Sequence, residues 1–347
     1  MKISIGGDCF LGGDLNEFSG KIVNSKMFGQ ADFRFVNLEQ AASSSPEPVD
    51  KCTIYSSDKA LDLLLENNIN GVGLANNHIH DLGPDGIVGT RGLVERLGVK
   101  VTGAGSTIEQ AAEAVTIDGE VSILSYCDFD KWYLNDIAVA NLADPGVNPL
   151  RYEKINADLL ALPSGSQAIL VFHWGVEHVR YPPHKDIELA KRLLELDAVA
   201  LIVGMHSHLA QGYIESNGKR AYMGIGNFLF PEFYFDKPTQ LIYPEDKKAP
   251  SLSTFGYHRV TGLTKKKWRY FNRVSMLIFY DTKNGSVSHS FAKQAPGNIP
   301  YVTDVVGLEA AVWDLFVKFL SLIYRQNKSV YSVFELSSYA FRHVKEV

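Results

Sequence analysis

Val199-Ala200-Leu201-Ile202-Val203-Gly204-Met205-His206-Ser207-His208 runs from an unbroken apolar segment straight into two imidazoles. A short apolar run closed by glycine reads as a strand buried on both faces. Side chains two apart on an extended backbone share a face, so the spacing predicts that His206 and His208 point the same way. Working outward, the pattern recurs. Ile3-Ser4-Ile5-Gly6-Gly7 ends in Asp8, and Phe33-Arg34-Phe35-Val36-Asn37-Leu38 ends in Glu39. Gly71-Val72-Gly73-Leu74-Ala75 leads into Asn76-Asn77-His78, and Ala168-Ile169-Leu170-Val171-Phe172 ends in His173. A lone aspartate after a strand is ordinarily a turn residue, and a lone histidine is ordinarily a core or surface side chain. Five strand ends that each deliver an Asp, Glu, Asn or His argue instead for convergence. In layered α/β sheets the carboxyl ends of the strands form the rim where ligands bind.

Apolar runs at 3–5, 33–38, 72–75, 121–126, 168–172 and 199–203 alternate with helix-like segments at 58–66, 87–97 and 187–196. Asp58 stands near the N-cap of the first of these. Strands alternating with helices predict an α/β fold with a layered sheet, and antiparallel additions are expected where helices are missing, as at 218–230. After Phe230 the periodicity stops. Residues 231–268 read as a long excursion. Segments 274–280 and 286–292 flank Asn284-Gly285, a hairpin signal. Beyond about residue 304 two helices are expected, with Leu308, Val312, Phe316, Leu320 and Ile323 at helical spacing; packing on the main body is favoured over a membrane-surface or partner helix.

The chain has 347 residues, enough for one large or two modest domains and for a sizeable core. Its 46% hydrophobic and 21% charged residues exclude disorder, collagen-like repeats and a disulfide scaffold. The formal net charge of −5 does not favour nucleic acid as a partner. Cys9, Cys52 and Cys127 form no C-x-x-C pair, and an odd count fits a reducing compartment. No secretory h-region follows Met1-Lys2, and no apolar window approaches the ~18 residues of a membrane span. A cytoplasmic location without a transmembrane segment is therefore expected. Oligomeric state is not encoded in any pattern here.

Mixed carboxylate, amide and imidazole donors suit Mn²⁺, Zn²⁺ or Fe. Two such ions about 3.5–4 Å apart would activate water for hydrolysis. Glycines beside the donors (Gly6, Gly7, Gly204) let backbone approach a crowded site.

The motifs Gly7-Asp8, Val36-Asn37-Leu38-Glu39, Asn76-Asn77-His78-Ile79-His80-Asp81-Leu82-Gly83, His173-Trp174-Gly175-Val176-Glu177, Gly204-Met205-His206-Ser207-His208 and Gly226-Asn227-Phe228 occur in that order. Together they resemble the CapA family of bacterial capsule and poly-γ-glutamate synthesis proteins. Its fold is similar to that of the calcineurin-like metallophosphoesterases. The resemblance covers residues 1–230. It implies a layered α/β/β/α metallophosphatase-like sandwich over residues 1–300, with a long excursion at 231–270 and a C-terminal helical extension at 301–347. It implies one or two divalent ions, Mn, Zn or Fe, held by Asp8, Glu39, Asn77, His173, His206 and His208, with Asn77 a candidate bridge. His78 would aid the leaving group and Asp81 would orient His78. Glu177 and Asn227 would line the pocket as substrate contacts or supports for the ligands, and Trp174 would pack. The substrate would be an anionic or phosphorylated small molecule or polymer. The sequence departs from the phosphoesterase Asp-x-His opening, because Phe10 stands where the histidine would be. His80 is a further candidate ligand.

The implied function is a metal-dependent hydrolase in capsule or other surface-polymer biosynthesis or processing. Two alternatives stay open: a hydrolase of amide or glycosidic bonds in a polymer, with Lys247, Lys248, Lys265, Lys266, Lys267 and Arg269 available to hold an anionic chain, and a non-enzymatic component of a polymer-synthesis complex.

Overall fold

Ile169 and Val171 leave the strand Gln167–His173 on one side, and Ala168, Leu170 and Phe172 leave it on the other; both sets are buried. A strand covered on both faces must lie inside a layered structure. The computed structural model describes residues 1–49, 53–129, 137–235 and 264–344, and shows two sheets face to face with helices outside each. This is an α/β/β/α sandwich of the metallophosphatase type.

The first sheet has the order Val302–Val305, Ser286–Gln294, Val274–Asp281, Lys2–Cys9, Phe33–Leu38, Gly71–Gly73, Lys100–Thr102. Its strands from Lys2–Cys9 through Lys100–Thr102 run parallel, and the short strand Asn227–Leu229 also pairs with Lys2–Cys9 in parallel. The second sheet has the order Tyr213–Ser216, Lys219–Tyr222, Val199–Met205, Gln167–His173, Val121–Cys127, Val115–Ile117.

Three apolar layers follow from strand alternation. Ile3, Ile5, Phe33, Phe35, Ile169, Val171, Leu201, Val203, Met276 and Ile278 fill the space between the sheets. Val36, Leu38, Val72 and Leu74 face Leu63, Ile87 and Val94 of the helices outside the first sheet. Leu170, Phe172 and Ile202 face Ile187, Leu193 and Leu194 of the helix His184–Leu194 outside the second. Leu320, Ile323 and Tyr324 of the helix Gly307–Tyr324, and Tyr331 of Lys328–Val344, belong to that same outer layer. The two final helices thus pack on the sandwich through Phe316, Leu320, Ile323 and Tyr331, but Leu308 and Val312, expected on the same packed face, are exposed. Tyr331 donates to Pro182 O, and Tyr324 Oη donates to Arg180 O, tying both helices to the turn before His184–Leu194.

Helix boundaries differ from expectation at their starts. The helix expected at 87–97 is Gly83–Arg96, with Pro84 in its first turn, where the missing N–H costs nothing. The segment at 58–66 opens as a 3₁₀ turn, Lys59–Leu61, capped by Asp58 Oδ1, before the α-helix Asp62–Glu66. The expected hairpin is present as Val274–Asp281 and Ser286–Gln294, with Gly285 at φ +68° in the turn. Most of the expected excursion, residues 236–263, lies outside the described residues. Its two ends, Phe233–Phe235 and Thr264–Lys266, pair in antiparallel fashion.

Close approach explains one glycine. A Cβ on Gly204 would collide with Met223 O and Trp174 Nε1, and Trp174 Nε1 itself donates to Met223 O at 2.9 Å. Gly204→Ala is expected to cost about 3 kcal/mol through overpacking. Gly89→Ala, on an open helical face with no neighbour within 4 Å, is expected to gain about 0.5–1 kcal/mol. Urea unfolding of the two variants checks both signs.

Candidate metal centre

The layer between the sheets changes character at the carboxyl ends of the strands. Phe33 and Phe35 give way to Asn37, and Ile169 and Val171 give way to His173, at the next positions on the same strand faces. In the strand Lys2–Cys9 the register slips between Ile5 and Asp8. That irregularity sets Asp8 opposite both Asn37 and Asn227. Asn37 Nδ2 donates to Asp8 Oδ1 at 2.9 Å.

His206 and His208 arrive by another route than the one their spacing suggests. The strand ends at Met205, and the two histidines have φ of +78° and +52°, so no extended backbone aligns them. A left-handed turn carries both toward Asp8. The His206 backbone N–H donates to Asp8 Oδ2 at 3.1 Å, and His208 Nδ1 lies 3.5 Å from the same oxygen.

Five of the expected ligands fall into two groups of three whose donor atoms lie within 4.8 Å of one another: Glu39, His173 and His206, and Asp8, Glu39 and His208. All five residues are buried. Glu39 is common to both groups. Glu39 Oε1 stands 3.8 Å from His173 Nε2 and 3.7 Å from His208 Nε2. Asn77 adjoins the first group, its Oδ1 at 2.8 Å from His173 Nε2. Donors bonded at ~2.1 Å to one ion stand about 3.0–3.4 Å apart, so these side chains need only small adjustments. His80 belongs to neither group.

The electrostatics of the two acids diverge. Burial alone would raise Asp8, but hydrogen bonding to His208, the charges of His208 and His173 and the Asn37 amide outweigh it and hold Asp8 below the usual carboxylate range. Burial, then the negative charges of Asp8 and Glu177, push Glu39 well above its ordinary value. Neither Glu39 oxygen receives a hydrogen bond from a described residue. A buried carboxyl group with two unsatisfied oxygens, ringed by imidazoles, is costly unless a cation completes it. The donor set therefore fits divalent metal.

The supports are also in place. Asn227 Oδ1 accepts from His208 Nδ1 at 2.8 Å, which leaves the lone pair on Nε2 of that ring, where it would be available to a cation. His78 Nδ1 lies 2.7 Å from Asp81 Oδ2, which also accepts from Ile54 N at 2.6 Å. Glu177 is half-buried and reaches the site by its charge on Glu39. Trp174 is buried against Phe172, away from any stacking role. Phe10, standing where a phosphoesterase carries histidine, joins Ile54, Phe230, Phe233 and Trp268 in a separate apolar cluster.

His178, Trp268 and Asn272 also border the site and carry no role in the sequence reading. The His178 and Trp268 rings lie 5.5 and 5.3 Å from that of His208, and Asn272 Nδ2 donates to His208 O at 3.0 Å.

The family model described as "Bacterial capsule synthesis protein PGA_cap" matches residues 2–232, which hold all of the candidate metal ligands Asp8, Glu39, Asn77, His173, His206 and His208. The chain belongs to this family. Within it, the PGA biosynthesis protein CapA of Bacillus subtilis (strain 168) is 25% identical over 193 residues, 52% of this chain and 47% of that relative. The capsule biosynthesis protein CapA of Bacillus anthracis is 24% identical over 260 residues, 67% of this chain and 60% of that relative. This PGA_cap chain therefore spans about half to three fifths of the length of these relatives. Among its described residues no helix is long and apolar enough to cross a membrane.

Because Glu39 serves both donor groups, Glu39→Gln is expected to weaken uptake of Mn²⁺ or Zn²⁺ more than any single histidine substitution. Asn227→Ala, which releases the His208 ring, is expected to weaken it about 10–100-fold. Metal content of each purified variant after dialysis against the ion checks the order; native-like content in Glu39→Gln would refute the shared position.

Proposed function

We propose that this PGA_cap chain is a metal-dependent hydrolase of a phosphoester or related bond, acting in biosynthesis or processing of a capsule or other surface polymer. The observation that carries the reading is Glu39, a buried carboxyl group common to two donor triads, with a carboxylate-supported histidine in the adjoining Asn-Asn-His turn. Asp8, Glu39, His173, His206 and His208, joined by Asn77, would hold one or two divalent ions of the Mn, Zn or Fe type. When bound, such ions lower the pKa of water and polarise the oxygen of the scissile bond.

The chain's own residues supply the rest. Asp81 Oδ2 accepts from His78 Nδ1 and fixes the ring; in the doubly protonated ring, Nε2–H is then the group that would give its proton to the departing oxygen, leaving the neutral imidazole with its N–H on Nδ1. Asn76 Oδ1 accepts from the His78 backbone N–H at 3.0 Å, which holds the turn that presents the ring. Asn227 keeps His208 in one tautomer. The surrounding layer of buried side chains excludes bulk water from the acids. The capsule role rests on family membership, and the cytoplasmic setting on the cysteine pattern; Cys9 and Cys127 are buried.

The test is hydrolysis of bis(p-nitrophenyl) phosphate and p-nitrophenyl phosphate by protein loaded with Mn²⁺, Zn²⁺ or Fe²⁺, beside release of glutamate from polyglutamate. Phosphoester turnover is expected, with kcat reduced about 10²–10⁴-fold in His78→Ala and less in Asp81→Asn. Turnover of polyglutamate alone would transfer the assignment to amide hydrolysis, and absence of ion uptake would sink both.

A further inference from the structure

We infer that the outward face of the helix Gly307–Tyr324 is a self-association surface, on which a second copy of this chain seats the same helix in antiparallel fashion about a twofold axis near Leu315. The inference stands apart from the hydrolase reading and concerns a surface outside the metal centre.

The helix Gly307–Tyr324 is apolar on two sides. Trp313, Val317, Leu320 and Tyr324 recur at steps of four, three and four residues and are buried on the sandwich. The same side carries the helix's polar anchors: the Tyr213 backbone N–H donates to Ser321 Oγ at 2.8 Å, and the Gly212 backbone N–H to Tyr324 Oη at 3.2 Å. Leu308, Val312, Leu315, Phe319 and Leu322 form a second stripe on the opposite side. Its steps are four, three, four and three residues, and every member is exposed, from 55% for Phe319 to 82% for Leu308. At 3.6 residues per turn the five side chains fall within an arc of about 80°. A helix that is apolar all round is ordinarily buried all round. These five side chains leave on the order of 600 Å² of apolar surface in water, the top of the range for the largest patch on a monomer. With the residues along its edges, the stripe approaches the ~800 Å² that each partner contributes to a standard interface. Val330, Val333 and Leu336 of the next helix are exposed as well.

The pattern fits a copy of itself better than a lipid surface. A strict four-three repeat is the seam of a helix pair, whereas a helix lying on a membrane has a broad apolar face bordered by lysine and arginine. Here the neighbouring cations are already engaged. Lys318 Nζ pairs with Asp314 Oδ2 at 2.7 Å, and Arg325 with Glu215 Oε2 at 3.0 Å. The stripe also reads alike in both directions from Leu315. Leu308 and Leu322 each stand seven residues away, and Val312 and Phe319 stand three and four away. A twofold axis makes every contact reciprocal. Placed at Leu315, it sets Phe319 of each copy over Val312 of the other, large against small, and Leu308 against Leu322. Lys318 at the edge then faces Ala311 of the other copy rather than a second lysine.

The test is sedimentation equilibrium of the full chain over a dilution series. Native protein is expected to approach twice the 38.5 kDa chain mass and to dissociate on dilution. Leu315→Glu and Phe319→Glu are each expected to raise the dimer dissociation constant at least tenfold. Leu160→Glu, at an exposed leucine of the separate helix Tyr152–Ala161, is expected to leave it unchanged. Melting curves by circular dichroism, near native in all three, separate loss of association from loss of fold. Orientation is read by disulfide trapping in a Cys52→Ser background, Cys9 and Cys127 being buried. Leu308→Cys mixed with Leu322→Cys is expected to cross-link on oxidation, and Leu308→Cys alone is not. Monomer at every concentration overturns the proposal, as does a dimer that neither glutamate variant weakens tenfold. Cross-linking of Leu308→Cys with itself but not with Leu322→Cys overturns the antiparallel arrangement. Vesicles of phosphatidylcholine and phosphatidylglycerol are the counter-probe: a monomer that cosediments with them, and is released by Leu315→Glu, gives the face to a membrane instead.

Discussion

Everything at the rim depends on burying acid groups between two sheets. Asp8 and Glu39 are both inaccessible to water, and two like charges at close range in a poorly polarisable medium repel strongly. The protein eases this for Asp8 with the Asn37 amide and the His206 backbone N–H. For Glu39 it supplies no donor among the described residues. An arrangement of this kind holds together when positive charge enters from outside. Its burial within a sandwich of three apolar layers is what lets so unfavourable a pair persist, since the surrounding strands and helices over-determine the position of each backbone.

Much of this could be read in the chain itself, for a local reason. A parallel strand covered on both faces is a plain apolar run, and a polar side chain at its end stands out against it. Asp8, Glu39, His173, His206 and His208 are all of this type. The path taken by His206 and His208 was not legible, because the end of a strand and a reversal of φ leave no mark in an alternating pattern. The start of the helix Gly83–Arg96 was hidden similarly: Gly83-Pro84-Asp85-Gly86 looks like a turn, and tertiary packing on the first sheet extends the helix through it. His178, Lys266 and Trp268 meet only through the antiparallel pairing of Phe233–Phe235 with Thr264–Lys266. No short-range periodicity encodes such a pairing.

Phe10 illustrates how one substitution reorganises a neighbourhood. An imidazole there would have offered one more nitrogen to the acids. A phenyl ring instead seeds contacts with Phe230 and Phe233, at 5.3 and 5.0 Å between centroids, and through Phe230 with Trp268. The wall beside His208 is aromatic, with the Phe230 and Trp268 rings at 5.5 and 5.3 Å from its own.

The positive φ of His206 and His208 restricts what evolution can write at these two positions. Branched or bulky side chains pay heavily in that region of backbone space, whereas Asn, Asp and His enter it at modest cost. Those three are also residues able to offer an electron pair to a cation. Backbone sterics and coordination chemistry thus select the same small alphabet, and drift at either position is confined from two directions at once.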